Sequence, residues 1–170
     1  MTEQTLPLLA ADRLRRVYGA FPTGVTAIAG LIDQSPAGIT ANSFTSVSLD
    51  PPLVSVCVAH TSTTWPLLRR ADRLGISVLA AGQGAAGRRL ASKAHDRFAD
   101  LAWYATPGGA VLLDGAAAWL ETSIHQLVPA GDHDIVVLAV HDLDLRHGVE
   151  PLVFHASRFG TVAYAHPDSR

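Results

Sequence analysis

Residues 38–58 read GITANSFTSVSLDPPLVSVCV. The first half interleaves short polar side chains (Thr40, Asn42, Ser43, Thr45, Ser46, Ser48) with apolar ones. Its β-branching disfavours helix, and Asp50-Pro51-Pro52 ends the run. LVSVCV (53–58) then reads as a second strand. Alternation along an extended chain puts Thr40, Asn42, Phe44, Ser46 and Ser48 on one face. Ile39, Ala41, Ser43, Thr45 and Val47 take the other. Side chains this small let a ligand approach the main chain, whose N–H and C=O groups can read the edge of a heteroaromatic ring. Hydroxyls and amides also hold phosphate without a lysine. A second cluster, Thr61-Ser62-Thr63-Thr64, sits where a short helix is predicted to begin, with Pro66 in its first turn. Either cluster alone fits an ordinary half-exposed segment. Two of them flanking one strand point to a phosphorylated, ring-bearing ligand.

Outward from this stretch the chain is rich in strands. Strands are predicted at 25–32 (VTAIAGLI), 75–80 (GISVLA), 111–120, 134–145 (DIVVLAVHDLDL), 152–155 (LVFH) and 159–164 (FGTVAY). Asp12 fits the N-cap of a helix carrying Leu14, Val17, Tyr18 and Phe21 on one face, ended by Pro22. Residues 84–94 (GAAGRRLASKA) predict another helix. Helices do not alternate regularly with strands, which disfavours a parallel α/β sheet. Many short strands with Gly/Pro turns favour an antiparallel barrel or sandwich.

Gly82, Gly84 and Gly87 spell G-x-G-x-x-G between a predicted strand and a predicted helix. No second buried strand with an acidic residue follows, so the dinucleotide fingerprint lacks its βαβ context. The eight histidines show no metal-ligand spacing, and no metal is expected. Among them His133 stands apart, because Gly131-Asp132-His133-Asp134 sets it between two carboxylates at the mouth of a strong strand. Cys57 lies mid-strand and reads as a small buried hydrophobe, and no G-x-S-x-G elbow supports a hydrolase.

The 170 residues suit one domain. A net charge of -2 gives no basic excess, so nucleic acid is not an expected partner. Charged residues are 16% and apolar ones 48%, leaving apolar surface for a partner subunit or a flat cofactor to cover. A lone cysteine excludes an intrachain disulfide and suits a cytoplasmic protein. No signal peptide or membrane-spanning run is expected.

Taken together, residues 21–30 (FPTGVTAIAG), 38–58, 75–83 (GISVLAAGQ), 96–98 (DRF), 131–140 (GDHDIVVLAV) and 151–155 (PLVFH) resemble the short-chain flavin reductase family. These are the reductase components of two-component flavin-dependent monooxygenases. TANSFTSVSLDPPL is the most specific piece, and the resemblance runs from about residue 11 to residue 164. It implies a mainly β fold: a six-stranded antiparallel Greek-key split β-barrel with a few short helices, spanning residues 11–165 between tails at 1–10 and 166–170. It also implies a homodimer that binds FAD or FMN and takes a hydride from NADH or NADPH at flavin N5. The reduced flavin then passes to a separate flavin-dependent monooxygenase. A non-enzymatic flavin- or haem-binding carrier or sensor on the same fold is the alternative.

The resemblance carries Thr40, Ala41, Asn42, Ser43, Ser46 and Ser48 over to the flavin, together with Thr23 and Gly24. It places Ser62 and Thr63 at the flavin phosphate, and Arg97 and Phe98 over the cofactor. His133 takes the catalytic position on the nicotinamide side, with Phe159 beside it. The chain departs from the family pattern at Leu138 or Ala139, where a glycine is common. It departs again at Ser157 and Phe159, where glycine and tyrosine are usual.

Overall fold

The computed structural model describes residues 9–164. They form a mainly β structure with three short α-helices. In chain order the elements are α1 (Ala11–Gly19), β1 (Thr23–Gly24), β2 (Thr26–Ile32), β3 (Ser35–Ala41), β4 (Thr45–Leu49), β5 (Pro52–Ala59), α2 (Trp65–Leu68) and β6 (Leu74–Val78). A 3-10 turn over Ala81–Gln83 leads into α3 (Gly84–Ala91). Then come β7 (Trp103–Ala105), β8 (Val111–Leu113), β9 (Ala118–Ala130), β10 (His133–Leu145), β11 (Val153–His155) and β12 (Arg158–Gly160).

The main sheet has seven strands, not the six expected, in the order β3-β2-β6-β9-β10-β5-β4. Every pairing in it is antiparallel. Residues 39–49 are not one alternating strand. The chain breaks at Asn42-Ser43-Phe44, and the two halves, β3 and β4, lie at opposite edges of the sheet. Four Cα steps from Ala41 to Thr45 span at most ~14 Å. A flat seven-stranded sheet would be roughly 29 Å wide at ~4.8 Å per strand. The sheet therefore curls until its edges nearly meet, and the link 42–44 crosses the gap. No ladder joins β3 to β4, so the sheet is open there.

Two apolar clusters hold this shape. Ile28, Val54, Val56, Val58, Ile76, Val136 and Leu138 fill the concave side, with Trp65 and Leu68 of α2 at one end. Val25, Ala27 and Ala29 point the other way, against Leu79, Leu90, Val111, Leu113 and Leu152. β2 is thus buried on both faces, which is why its sequence is continuously apolar. Each large side chain buried here contributes roughly 1.5–3 kcal/mol. Gly75 marks the tightest crossing: a Cβ there would meet the Val111 carbonyl oxygen at 2.2 Å.

The small sheets β1-β11-β12 and β7-β8 flank the main one. With every ladder antiparallel, the three glycines around α3 form no βαβ turn. Gly87 is buried instead, within 3.3 Å of Leu79 and 3.5 Å of Phe159 if given a Cβ. Other expectations shift locally. Asp12 does not cap α1; Ala10 holds that position, and Asp12 pairs with Arg16 at 3.4 Å. The apolar stripe of α1 forms but nothing among the described residues buries it, leaving Val17 and Tyr18, and Phe21 just beyond, exposed. The strand expected over 111–120 splits at the Asp114-Gly115 turn, and β7 had no counterpart in the sequence reading. The expected tails at 1–10 and 166–170 lie almost wholly outside the described residues.

Candidate flavin site

The link 42–44 that bridges the sheet edges also forms the wall of a cavity of about 620 Å³. Thr40, Ala41, Asn42 and Ser43 line one side, and Thr61, Ser62, Thr63 and Thr64 another. Lys93 and Arg97 complete it from the segment after α3, and His133 from the start of β10. Ile39, Val58, Leu90 and Ala91 give it apolar surface.

Hydrogen bonds fix each wall. The Thr26 hydroxyl donates to the Ala41 carbonyl at 2.9 Å, and the Thr40 hydroxyl to the Gly87 carbonyl at 2.8 Å. Ser43 Oγ donates to the Cys57 carbonyl at 3.2 Å and accepts the Cys57 N–H at 2.8 Å. These bonds tie the link to β2, α3 and β5. On the facing wall Ser62 Oγ accepts the Trp65 N–H at 3.2 Å. Arg97 Nη1 donates to the Thr64 hydroxyl at 2.9 Å, the Gly38 carbonyl at 3.3 Å and the Leu90 carbonyl at 3.4 Å. Five N–H groups on a guanidinium leave Nη2 and Nε uncommitted here.

At the mouth, His133 Nδ1 is 2.7 Å from Asp132 Oδ1. Asp134 does not share that histidine, because it faces His60 Nε2 at 3.0 Å. The turn therefore holds two separate His–Asp pairs, not one histidine between two carboxylates. The hydrogen bond from His133, followed by its charge, holds the Asp132 carboxyl below the usual aspartate value.

Two further expectations are corrected. Cys57 is exposed, because β5 turns Val54, Val56 and Val58 inward and Cys57 outward onto the cavity wall. The hydroxyl-lined side of the cavity is not limited to neutral donors, because Lys93 lies in the lining. The predicted helix ran to residue 94, but Ser92 Oγ donates to the Arg89 carbonyl and accepts the Ala94 N–H, ending α3 at Ala91. That early stop turns Ser92 and Lys93 toward the cavity. A serine in the last turn was the signal for it.

Of the residues singled out in the sequence, Thr40, Ala41, Asn42, Ser43, Ser62, Thr63, Arg97 and His133 converge on this cavity. Ser46 and Ser48 lie on β4, outside its lining. Thr23 and Gly24 form β1, paired to β11, with Thr23 Oγ1 buried and without a hydrogen-bond partner among the described residues. Phe98 is buried in the second apolar cluster, edge-on to Trp103. Phe159 lines an adjoining cavity of about 550 Å³ that shares Thr40 and Asn42 with the first. Arg88 lies 5.4 Å above its ring.

The sequence profile of the flavin reductase like domain matches residues 18–163. The chain belongs to this family. It is 41% identical over 152 residues to the NADH-dependent FAD reductase of Streptomyces globisporus, covering 86% of this chain and 83% of that one. It is also 41% identical over 125 residues to the reductase component of a flavin-dependent trigonelline monooxygenase from Acinetobacter baylyi. There the match covers 73% of this chain but only 40% of the relative. Among solved structures, a Streptomyces globisporus NADH:FAD oxidoreductase in complex with NAD and FAD fragments superimposes with a TM-score of 0.83 at 38% identity. That match covers 97% of this chain and all of the other.

Proposed function

We propose that the protein is an NAD(P)H:flavin oxidoreductase that reduces FAD or FMN and supplies the reduced flavin to a separate flavin-dependent monooxygenase. The observation that carries this reading is the convergence of residues 40–43, Ser62, Thr63, Lys93, Arg97 and His133 on one cavity. The donor set fits the cofactor. Main-chain groups and small side chains at 41–43 suit a ring edge, and hydroxyls beside Lys93 and Arg97 suit a phosphate. Flavin, when bound, would supply the hydride acceptor for a reduced nicotinamide, so the protein needs no nucleophile or strong acid of its own. Its residues bind and align the two rings. Ser43 and Thr40 hold the ring wall in place, Arg97 and Lys93 fix the phosphate, and His133 stands at the mouth on the nicotinamide side, with Phe159 in the adjoining cavity.

The wider reading follows from the same family. The curled sheet, with no ladder between β3 and β4, supports the reading of a Greek-key split barrel, for which one domain over residues 11–165 is proposed. A homodimer accounts for exposed apolar side chains such as Tyr18, Phe21, Leu49, Leu143 and Leu145. No helix among the described residues is long and apolar enough to cross a membrane, and a cytoplasmic location fits the single free cysteine. The test is to mix the protein with NADH and catalytic FAD or FMN and follow the NADH absorbance band. Flavin-dependent oxidation is expected. Its absence with both flavins and both NADH and NADPH overturns the reading and leaves a carrier or sensor.

A further inference from the structure

His60 stands between β5 and the hydroxyl cluster at 61–64, outside the lining of the cavity. It is nevertheless bonded to both neighbours of His133. Its main-chain N–H donates to the Asp132 carbonyl at 2.9 Å. Its Nε2 lies 3.0 Å from Asp134 Oδ1. The Asp134 side chain is only 19% exposed and has no other hydrogen-bond partner among the described residues. Neither bond uses the His133 ring, which meets Asp132 through Nδ1.

One histidine therefore joins the hydroxyl loop to the hairpin turn that carries His133. The loop side is firmly based. The Ser62 N–H donates to the Ala59 carbonyl at 3.0 Å, and Ser62 Oγ accepts the N–H of Trp65, whose side chain is buried in the core. On the hairpin side the ladder of β5 with β10 ends at Ala59 and His133, and Gly131 makes the turn at a φ of +66°. Past that ladder, His60 ties the turn to the loop. A part-exposed ion pair adds little to stability. Two bonds from one residue, to either side of His133, fix an orientation instead.

We propose that His60 is a positioning residue for the reduction. By gripping Asp132 and Asp134 it holds His133 at a set distance from the hydroxyl loop, so that a nicotinamide at His133 meets a flavin anchored at 61–64 in register. The inference rests on the function proposed above and adds to it a residue outside the cavity. His60 exchanges no proton or electron with either ligand. It matters because hydride transfer needs the reacting atoms about 3–3.5 Å apart, and a misplacement of about 1 Å can cost on the order of 100-fold.

The test compares His60→Ala, Asp134→Ala, the double variant and His60→Gln, whose side-chain amide can donate from near the position of Nε2. In flavin-free protein the His133 ring signals, read by NMR, should shift in His60→Ala and return in His60→Gln. At saturating flavin, His60→Ala should lower kcat/KM for NADH roughly three- to tenfold while the flavin Kd stays within about twofold. Asp134→Ala should do the same, and the double variant should be no worse than either single one, because the two side chains act as a pair. His60→Gln should recover most of the loss. Unmoved His133 signals or wild-type kcat/KM in His60→Ala overturn the inference. So do additive losses in the double variant, or a flavin affinity that falls in step with kcat/KM. A wild type that oxidises no NADH or NADPH with either flavin overturns the oxidoreductase reading itself, and this inference with it.

Discussion

Residues 40–43 and residues 61–64 present short hydroxyl side chains to the same cavity, but those hydroxyls have different partners. On the first side they are committed to the protein. Thr40 donates to Gly87, and Ser43 both donates to and accepts from the main chain at Cys57. On the second side Ser62 and Thr64 are engaged, whereas the Thr61 and Thr63 hydroxyls make no hydrogen bond among the described residues. One wall uses its hydroxyls to hold a strand break in place. The other leaves the Thr61 and Thr63 hydroxyls uncommitted beside Lys93 and Arg97, and on the function proposed above these are the groups that meet the ligand. The same residue types in similar sequence patterns thus divide into scaffold and contact, and substitution separates the two.

The largest effect belongs to Arg97, which serves both roles. Arg97→Ala removes a charge from the cavity wall and the donor that braces Thr64 and the Gly38 and Leu90 carbonyls. Charge-assisted hydrogen bonds of this kind are worth about 1.5–3 kcal/mol each. Flavin affinity should fall roughly 10- to 100-fold by titration. Arg97→Lys should recover only part of it, because an ammonium cannot reproduce the planar fork. Full recovery by lysine would reduce Arg97 to a point charge and blur the division drawn here.

Much of this site was legible in the sequence, but its division of labour was not. The residue types at 40–43 and 61–64, and the histidine after Gly131-Asp132, marked segments that the structure brings to one cavity. The apolar runs at 25–32 and 53–58 read directly as strands, because one is buried on both faces and the other alternates cleanly. What local pattern cannot show is where an extended run breaks. TANSFTSVS has the composition of one strand throughout, and only the long-range ladders of β3 with β2 and β4 with β5 place its halves on opposite edges. For the same reason Ser46 and Ser48, which seemed to share a face with Thr40, stand away from the cavity. Lys93 was missed because helix propensity carried the prediction past a stop made by a single serine hydroxyl.

Thr40→Val and Thr63→Ala test the division at intermediate size. Valine at 40 keeps the shape but removes the hydroxyl donor that the part-buried Gly87 carbonyl has besides its own helix. That should cost about 1–2 kcal/mol in chemical denaturation. Flavin affinity should change less, since the hydroxyl already faces α3. Alanine at 63 should leave stability within about 0.5 kcal/mol and weaken flavin about three- to tenfold. A reversed pattern, with Thr40→Val acting on affinity alone and Thr63→Ala on stability alone, would exchange the roles of the two walls.

The smallest effect lies at the mouth, where the Asp132 carboxyl is held below the usual aspartate value by its hydrogen bond to His133. A depressed carboxyl favours the folded state once it is ionised. Its contribution is therefore present above the ordinary aspartate range, near pH 4, and fades as pH falls through the lowered native value. Both partners are well exposed, so the stabilisation is slight and its main consequence is orientation. With Nδ1 engaged by Asp132, the ring is fixed and Nε2 is the nitrogen left for a ligand. In His133→Ala the Asp132 midpoint, read by carboxylate NMR titration, should rise toward the ordinary range. The KM for NADH should also rise while flavin affinity holds. Asp132→Asn keeps an acceptor for the ring nitrogen but removes the charge, so it should disturb nicotinamide use less than loss of the ring does. If Asp132→Asn proves as damaging as His133→Ala, the carboxylate contributes by its charge at the mouth as well as by orienting the ring.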